Sequence, residues 1–179
     1  MIELLIVIAV LGFLAVAVLS AINPIEQINR SKDTASRSDA EQLISGSDRY
    51  YTQKGYYPWM GAVDDVTNQF AFNNASLVKV ATNNTDVNRA LTALSTNTSE
   101  LKSSFITRIT AGDYNPLYFF NRGLQGDSVY ICFLPKSKAF VDDAWTRCGG
   151  AGGTGLPTDL IPANAQLCQN ANTAYACLP

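Results

Sequence analysis

The sequence predicts an α+β fold in which a long N-terminal helix, kinked near Pro24, packs on a small antiparallel β-sheet head with a disulfide-bonded C-terminal region. Three observations predict it: an apolar run at the start, a later pair of aromatic and β-branched segments around a glycine-containing turn, and four cysteines in the last quarter. With 179 residues, the chain has room for one such helix and a head of about 120 residues, which is large enough to bury a core.

The apolar run extends to Ile22 and carries one charged residue, Glu3, near its outer end. As a helix rising about 1.5 Å per residue it spans roughly 30 Å, the thickness of the hydrocarbon core of a bilayer. A carboxylate at the edge of such a segment is costly and needs a cationic partner, yet the first Lys or Arg is Arg30. The expected partner is the terminal amine of a second copy, offset along a bundle of these helices. An ordinary signal anchor, with Glu3 among the lipid headgroups, is the alternative.

The helix is expected to break at Asn23-Pro24, because proline lacks a backbone donor and disfavours the helical conformation in the residue before it. It then continues to the Tyr-rich segment before Pro58, where Gly55 suits a left-handed helix end. Charged residues, Asp33 and Asp39 among them, are expected to form a solvated or subunit-facing surface. The apolar residues that recur near one helix face are Ile25, Ile28, Ala35, Leu43 and Ile44.

Residues 58–115 are expected to form a connecting region rich in Asn, Thr and Ser, with two short helices. Apolar residues at helical spacing indicate the first helix around Val87–Leu94 and the second from Ser99-Glu100 onward. Three Asn-Xaa-Ser/Thr sequons are candidate glycosylation sites, although motifs this short often occur by chance. They are Asn74, Asn83 and Asn97.

Residues 117–120 and 128–134 are expected to pair as a β-hairpin, since both are rich in aromatic and branched side chains. Ala139–Val141 is the expected third strand of an antiparallel meander. The glycine-rich segment 149–155 lacks the Lys-Ser/Thr ending of a phosphate-binding loop, and it is interpreted as a flexible loop.

The four cysteines are interpreted as two disulfides, because an even number at wide spacing behind an exported segment indicates an oxidising compartment. Zinc ligation is disfavoured since no Cys-Xaa-Xaa-Cys motif exists. Three pairings remain open from sequence. Cys132–Cys148 with Cys168–Cys177 is favoured because each bond would close a local loop.

Composition argues against catalysis and nucleic-acid binding. The chain has no histidine, which excludes His-dependent triads and His metal sites, and its net charge of -2 offers no clustered cations for phosphates. Adjacent acidic pairs such as Asp64-Asp65 are typical of turns and have no activated nucleophile beside them. We predict no enzyme activity, no cofactor, no metal site and no direct nucleic-acid binding.

The run from Ile2 to Gly12, IELLIVIAVLG, resembles the N-terminal signature of the type IV pilins and the related pseudopilins, which share the class III signal. In that family a prepilin peptidase cuts a short basic leader after a glycine, the new first residue is N-methylated, and a glutamate lies four residues further on. Glu3 matches that glutamate and Gly12 matches the helix-weakening glycine of the family. Only two residues precede Glu3, so two further residues are expected before Met1 in the mature chain. The resemblance places N-terminal processing and methylation in the region of Met1.

The resemblance implies a structural subunit of a type IV pilus, a helical filament of identical subunits that serves motility, adhesion or DNA uptake. Before assembly, the chain would lie in the inner membrane with its head outside and meet the assembly platform. A pseudopilin of a type II secretion system and a membrane-anchored adhesive minor pilin are the alternatives. Local unwinding in the filament is expected between Gly12 and Pro24. The expected organisation is a membrane or filament-core segment 1–24, an amphipathic half-helix 25–57, a connecting region 58–115 and a sheet with its disulfide-bonded loop 116–179.

Overall fold

A computed structural model describes residues 2–21, 23–65, 77–81, 84–124, 126–150 and 153–179. Two consecutive helices, α1 (Ile2–Ala21) and α2 (Pro24–Lys54), begin the chain. A four-stranded antiparallel sheet follows, with the strands in the spatial order β1-β2-β3-β4. The predicted α+β class is therefore confirmed. The strands are β1 (Val78–Lys79), β2 (Leu117–Phe120), β3 (Tyr130–Phe133) and β4 (Ala176–Leu178).

The break between α1 and α2 lies where the sequence predicts it. Asn23 has an extended backbone and its side-chain oxygen accepts a hydrogen bond from the Glu26 N–H at 3.3 Å, while Pro24 occupies the first helical position. At the other end Gly55 adopts a left-handed conformation with φ of 77°, and its N–H donates to the Tyr51 carbonyl at 2.7 Å. Helix α2 thus begins and ends at residues whose chemistry dictates it.

The predicted hairpin is confirmed, but the predicted third strand is wrong. Strands β2 and β3 pair from Leu117 opposite Phe133 to Phe120 opposite Tyr130. Residues 139–141 belong instead to helix α5 (Lys138–Cys148). Two ion pairs at i, i+4 spacing, Lys138–Asp142 and Asp143–Arg147, suit a helix, and Ala144 and Cys148 are buried on one face.

The connecting region contains α3 (Thr85–Thr92), which continues as a π-helical turn Ala93–Asn97, and α4 (Ser103–Ile109). The second helix begins later than predicted because Ser99 takes a positive φ of 57°, which ends the helical path before it. Among the sequons, Asn97 is exposed at the end of the π-helical turn. Asn74 and Asn83 lie outside the described residues.

The buried face of α2 differs from the predicted one. Leu43 and Ile44 are buried, but Asp33 and Asp39 are buried as well and are not part of a solvated surface. Ile25 and Ile28 are exposed. The head supplies hydrogen-bond donors to these carboxylates, and these bonds offset the cost of removing the two charges from water. The main core lies between α2, the sheet and the connecting region, and its largest fully buried side chains include Trp59, Phe119, Phe133, Leu94 and Ile109.

The favoured disulfide pairing is wrong. The bonds are Cys132–Cys177, with Cα atoms 4.0 Å apart, and Cys148–Cys168, with Cα atoms 5.8 Å apart. Cys132 and Cys177 lie directly opposite each other on β3 and β4. Cys148 ends α5 and Cys168 follows the short helix α6 (Asn164–Leu167). Strand pairing, and not proximity along the chain, therefore selects the partner of Cys132.

Candidate assembly surface

Helix α1 does not pack on the part of the head that the structure describes. Its side chains from Ile2 to Ser20 are exposed, and the whole segment has the length and apolar composition of a membrane span. An isolated helix that is hydrophobic on all sides needs an apolar environment around it. The described part of the head therefore provides no such environment for α1.

Glu3 is the charged residue of this apolar helix and lies in its first turn. The sequence places no Lys or Arg in α1, and Arg30, the first one, is roughly 40 Å further along at about 1.5 Å per residue. Helix α1 itself therefore offers this carboxylate no cationic side chain. Met1, the predicted region of processing, lies outside the described residues.

Gly12 lies in the middle of α1, and a Cβ added there would meet no atom within 4 Å. No contact in this structure therefore requires a glycine. Its effect is on the helix itself, because glycine in a helix interior costs up to about 1 kcal/mol relative to alanine. Pro24, the other residue predicted to break the helix, is the first residue of α2.

Asp33 fixes the head to the base of α2. Its side chain is fully buried and accepts hydrogen bonds from the Lys136 N–H at 3.0 Å, the Ser137 N–H at 2.7 Å and the Ser137 hydroxyl at 2.7 Å. These donors lie immediately before α5, where the helix dipole favours a negative charge. A carboxylate of α2 therefore caps the N-terminus of α5.

Two neighbours of Asp33 complete this attachment. Glu26 accepts from the Lys138 N–H at 2.8 Å, and the Asn29 side chain donates to the Lys136 carbonyl at 3.3 Å. We call Glu26, Asn29 and Asp33 the base clamp. It begins within one turn of the break at Asn23, so the rigid head starts almost where α1 ends.

A second attachment lies further along α2. Asp39 forms a bidentate ion pair with Arg108, at 2.7 and 2.8 Å, and also accepts the Tyr114 hydroxyl. Burial, followed by the hydrogen bond to the Asp39 carboxylate, raises the pKa of Tyr114 well above its ordinary value. The phenol therefore stays a neutral donor to a buried carboxylate.

The base clamp and Asp39 were not predicted from the sequence, although a signal exists. The buried residues of α2 repeat at spacings of three and four and include Asp33, Ser36, Asp39, Ala40 and Leu43. Polar residues on the same stripe as buried leucines are typical of a helix that docks on exposed backbone donors. An analysis that counts only apolar residues misses that stripe.

Comparisons with protein-family models, with curated proteins and with solved structures find no match to this chain. The arrangement itself presents an apolar helix with one acid at its tip, attached through a short break to a rigid, disulfide-bonded head.

Proposed function

We propose that this chain is a structural subunit of a type IV pilus, which polymerises through α1 into a helical filament on the cell surface. The observation that carries the proposal is a 20-residue apolar helix that the head leaves wholly exposed. The signature from Ile2 to Gly12 supports the same conclusion. Before assembly α1 lies in the inner membrane, and afterwards it lies in the core of the filament.

Burial of α1 among copies of itself holds the filament together in water. Each Å² of apolar surface removed from water contributes about 25 cal/mol, so a helix of this length contributes tens of kcal/mol before ordering costs. The gain is much smaller relative to the membrane, because lipid tails are as apolar as the neighbouring helices. Hydrophobic burial alone therefore does not fix the axial offset between neighbouring copies.

Glu3 determines the axial offset between neighbouring copies. A carboxylate enclosed in an apolar bundle is strongly disfavoured unless a cation meets it. In this chain α1 has no Lys or Arg to provide one. The terminal amine of an adjacent copy provides it only at one axial offset, so the pair sets the register of the filament.

The test is the yield of sheared filaments from cells that express Glu3→Gln in place of the natural chain. We expect at least a tenfold loss of filaments, with normal export and intact disulfides in the head. Glu41→Gln is the matched control, since Glu41 is exposed on α2 and forms an exposed ion pair with Arg37. Normal filament yield from Glu3→Gln contradicts the register role, and filaments that stay short at every expression level favour the pseudopilin.

A further inference from the structure

One face of the first turns of α2 combines exposed apolar side chains with an exposed cation. Ile25, Ile28 and Lys32 follow one another at spacings of three and four residues, so they lie in one row along the helix. Ile25 is 69% exposed and Ile28 is 54% exposed, because the base clamp attaches the head to another side of the same turns. The row is therefore apolar next to α1 and cationic further along α2.

Lys136 of the head extends the cationic end of this row. Its N–H donates to the Asp33 carboxylate at 3.0 Å, and its carbonyl accepts from the Asn29 side chain at 3.3 Å, which fixes its backbone against α2. Lys32 and Lys136 line the same cavity of about 290 Å³. Both are exposed, and neither forms an ion pair with another side chain that the structure describes. Two ammonium groups beside this cavity are thus available to an anion.

Carboxylates close to the two lysines do not cancel their charge. Asp33 is fully buried and accepts the backbone donors in front of α5. Arg108 also lines the cavity, but its charge is matched by Asp39 in the bidentate pair at 2.7 and 2.8 Å. Asp113 is the acid in the cavity lining, and it is exposed. Two lysines beside one exposed acid leave an excess of positive charge.

The order of side chains along this row matches the layers of a bilayer surface. The apolar run ends at Ile22. At about 1.5 Å per residue, Ile25 and Ile28 lie roughly 5 and 9 Å beyond it, and Lys32 lies roughly 15 Å beyond it. Lipid headgroups occupy about the first 5–8 Å outside the hydrocarbon core, and the Debye length is roughly 10 Å at 0.1 M salt. The isoleucines therefore lie near the headgroups, and the lysine is within electrostatic reach of their phosphates.

We propose that, before assembly, α2 tilts at the break so that this face lies on the membrane, where Lys32 and Lys136 bind the phosphate groups of anionic lipids. The proposal rests on the membrane stage of the proposed function. The extended backbone of Asn23 interrupts the helix between α1 and α2 and permits the tilt. One orientation then places the isoleucines among the headgroups and the lysines at the phosphates. This contact orients the head of an unassembled copy until α1 leaves the bilayer.

The lipid preference of the unassembled chain tests the two lysines. The full chain is reconstituted in phosphatidylcholine vesicles, and its association with spin-labelled phosphatidylglycerol is compared with its association with spin-labelled phosphatidylcholine. A lysine near an anionic surface contributes a factor of about five in affinity. We therefore expect Lys32→Gln and Lys136→Gln each to lower the preference for phosphatidylglycerol by up to that factor. Arg30→Gln is the matched control, because it removes the same charge two residues from Lys32, on the opposite side of α2.

A nitroxide label on Ile28→Cys tests the tilt. The described chain has no free cysteine, so the label attaches to the introduced thiol. In vesicles that contain phosphatidylglycerol, we expect this label to be shielded from a water-soluble nickel reagent. The same label on Gln27→Cys is the control, since the exposed Gln27 projects about 100° away around the helix and should stay accessible. Combining Ile28→Cys with Lys32→Gln should make the Ile28 position more accessible.

Several results overturn the proposal. They are equal association of the natural chain with the two lipids, an Arg30→Gln variant that loses as much preference as Lys32→Gln, and a label at Ile28 that is as accessible as the one at Gln27. Lysine variants that keep the lipid preference but form few filaments overturn it too, since the face then contacts another copy.

Failure of this proposal is distinguishable from failure of the proposed function. A chain that does not remain in the vesicles contradicts the membrane stage itself, before any two lipids are compared. The lipid measurements need no filaments, whereas the pilus assignment is decided by the yield of sheared filaments.

Discussion

Helices α1 and α2 are neighbours in the chain, yet they differ in how far their side chains are buried. The side chains of α1 from Ile2 to Ser20 are all exposed, whereas the 31-residue α2 has nine buried residues, two of which are aspartates. The more hydrophobic helix is the more exposed one. Helix α2 finds its partner in the head, whereas α1 has none within the described part of the chain.

The contrast extends to the polar groups. Carboxylates of α2 meet backbone donors and an arginine of the same chain, at distances of 2.7–3.0 Å. Glu3, the carboxylate of α1, has no such contact with any residue that the structure describes. Substitutions in α2 should therefore change the stability of the head, and substitutions in α1 should change assembly and leave the head as it is.

Loss of a disulfide should have the largest effect on the head. Replacing Cys132 and Cys177 by serine removes a disulfide that links residues 45 positions apart. We expect this change to lower the free energy of unfolding by about 4 kcal/mol. The bond between Cys148 and Cys168 spans 20 residues, and its loss should cost about 3 kcal/mol. Urea unfolding of the full chain in a mild detergent, followed by near-ultraviolet circular dichroism, measures both; equal stability of the variants and the natural chain would contradict the assigned pairing.

The same substitution in each helix tests the contrast directly. Leu43→Ala removes a fully buried side chain of α2, and we expect it to lower the free energy of unfolding by about 3 kcal/mol. Leu11→Ala in α1 removes an exposed one and should change it by less than about 0.5 kcal/mol. Urea midpoints of the two variants provide the measurement. A loss of comparable size for Leu11→Ala would show that α1 packs on the head.

Asp33→Asn tests the base clamp. The asparagine keeps the shape of the side chain but removes the charge that two backbone N–H groups and a hydroxyl bind, so we expect a loss of about 2 kcal/mol. Amide hydrogen exchange should accelerate at Lys136 and Ser137, and this local signature separates the clamp from general destabilisation. Asp142→Asn is the control, because its ion pair with Lys138 is exposed and should contribute little.

Alkaline pH should give the smallest effect, confined to the head because α1 contains no tyrosine. Burial, and then the hydrogen bond to Asp159, raises the pKa of Tyr130 to about 12. A raised pKa means that the stabilisation is complete below the unfolded value near 10 and is lost as pH rises toward 12. Urea midpoints between pH 9 and 11.5 should fall more steeply for the natural chain than for Tyr130→Phe; parallel curves would contradict the assignment.

Local signals predicted much of this fold. Three features depend on one or two residues with strong conformational preferences: the break at Asn23-Pro24, the left-handed Gly55 and the hairpin. The residue types alone therefore predict them. Helix α5 was missed because three apolar residues in a row resemble a strand. The i, i+4 charge pairs from Lys138 onward would have corrected it.

The non-local features could not be obtained in the same way. Cys177 pairs with Cys132 because the three-residue strand β4 lies against β3, and a strand so short has no periodicity of its own. The buried state of Asp33 depends on backbone donors about a hundred residues further along the chain. Of the candidate assembly surface, the sequence predicts the apolar helix and Glu3, while the base clamp exists only after folding.

The position of the base clamp has a mechanical consequence. Tension applied to α1 can straighten the residues around the break at Asn23, but it reaches Glu26 and then Asp33, where further stretching must pull carboxylates away from the backbone of the head. Straightening the residues from Gly12 to Pro24 lengthens the chain by roughly 20 Å, from about 1.5 to about 3.3 Å per residue. If the subunits assemble as proposed, each of them therefore has a short extension that ends at the base clamp, and the head stays folded while the filament lengthens.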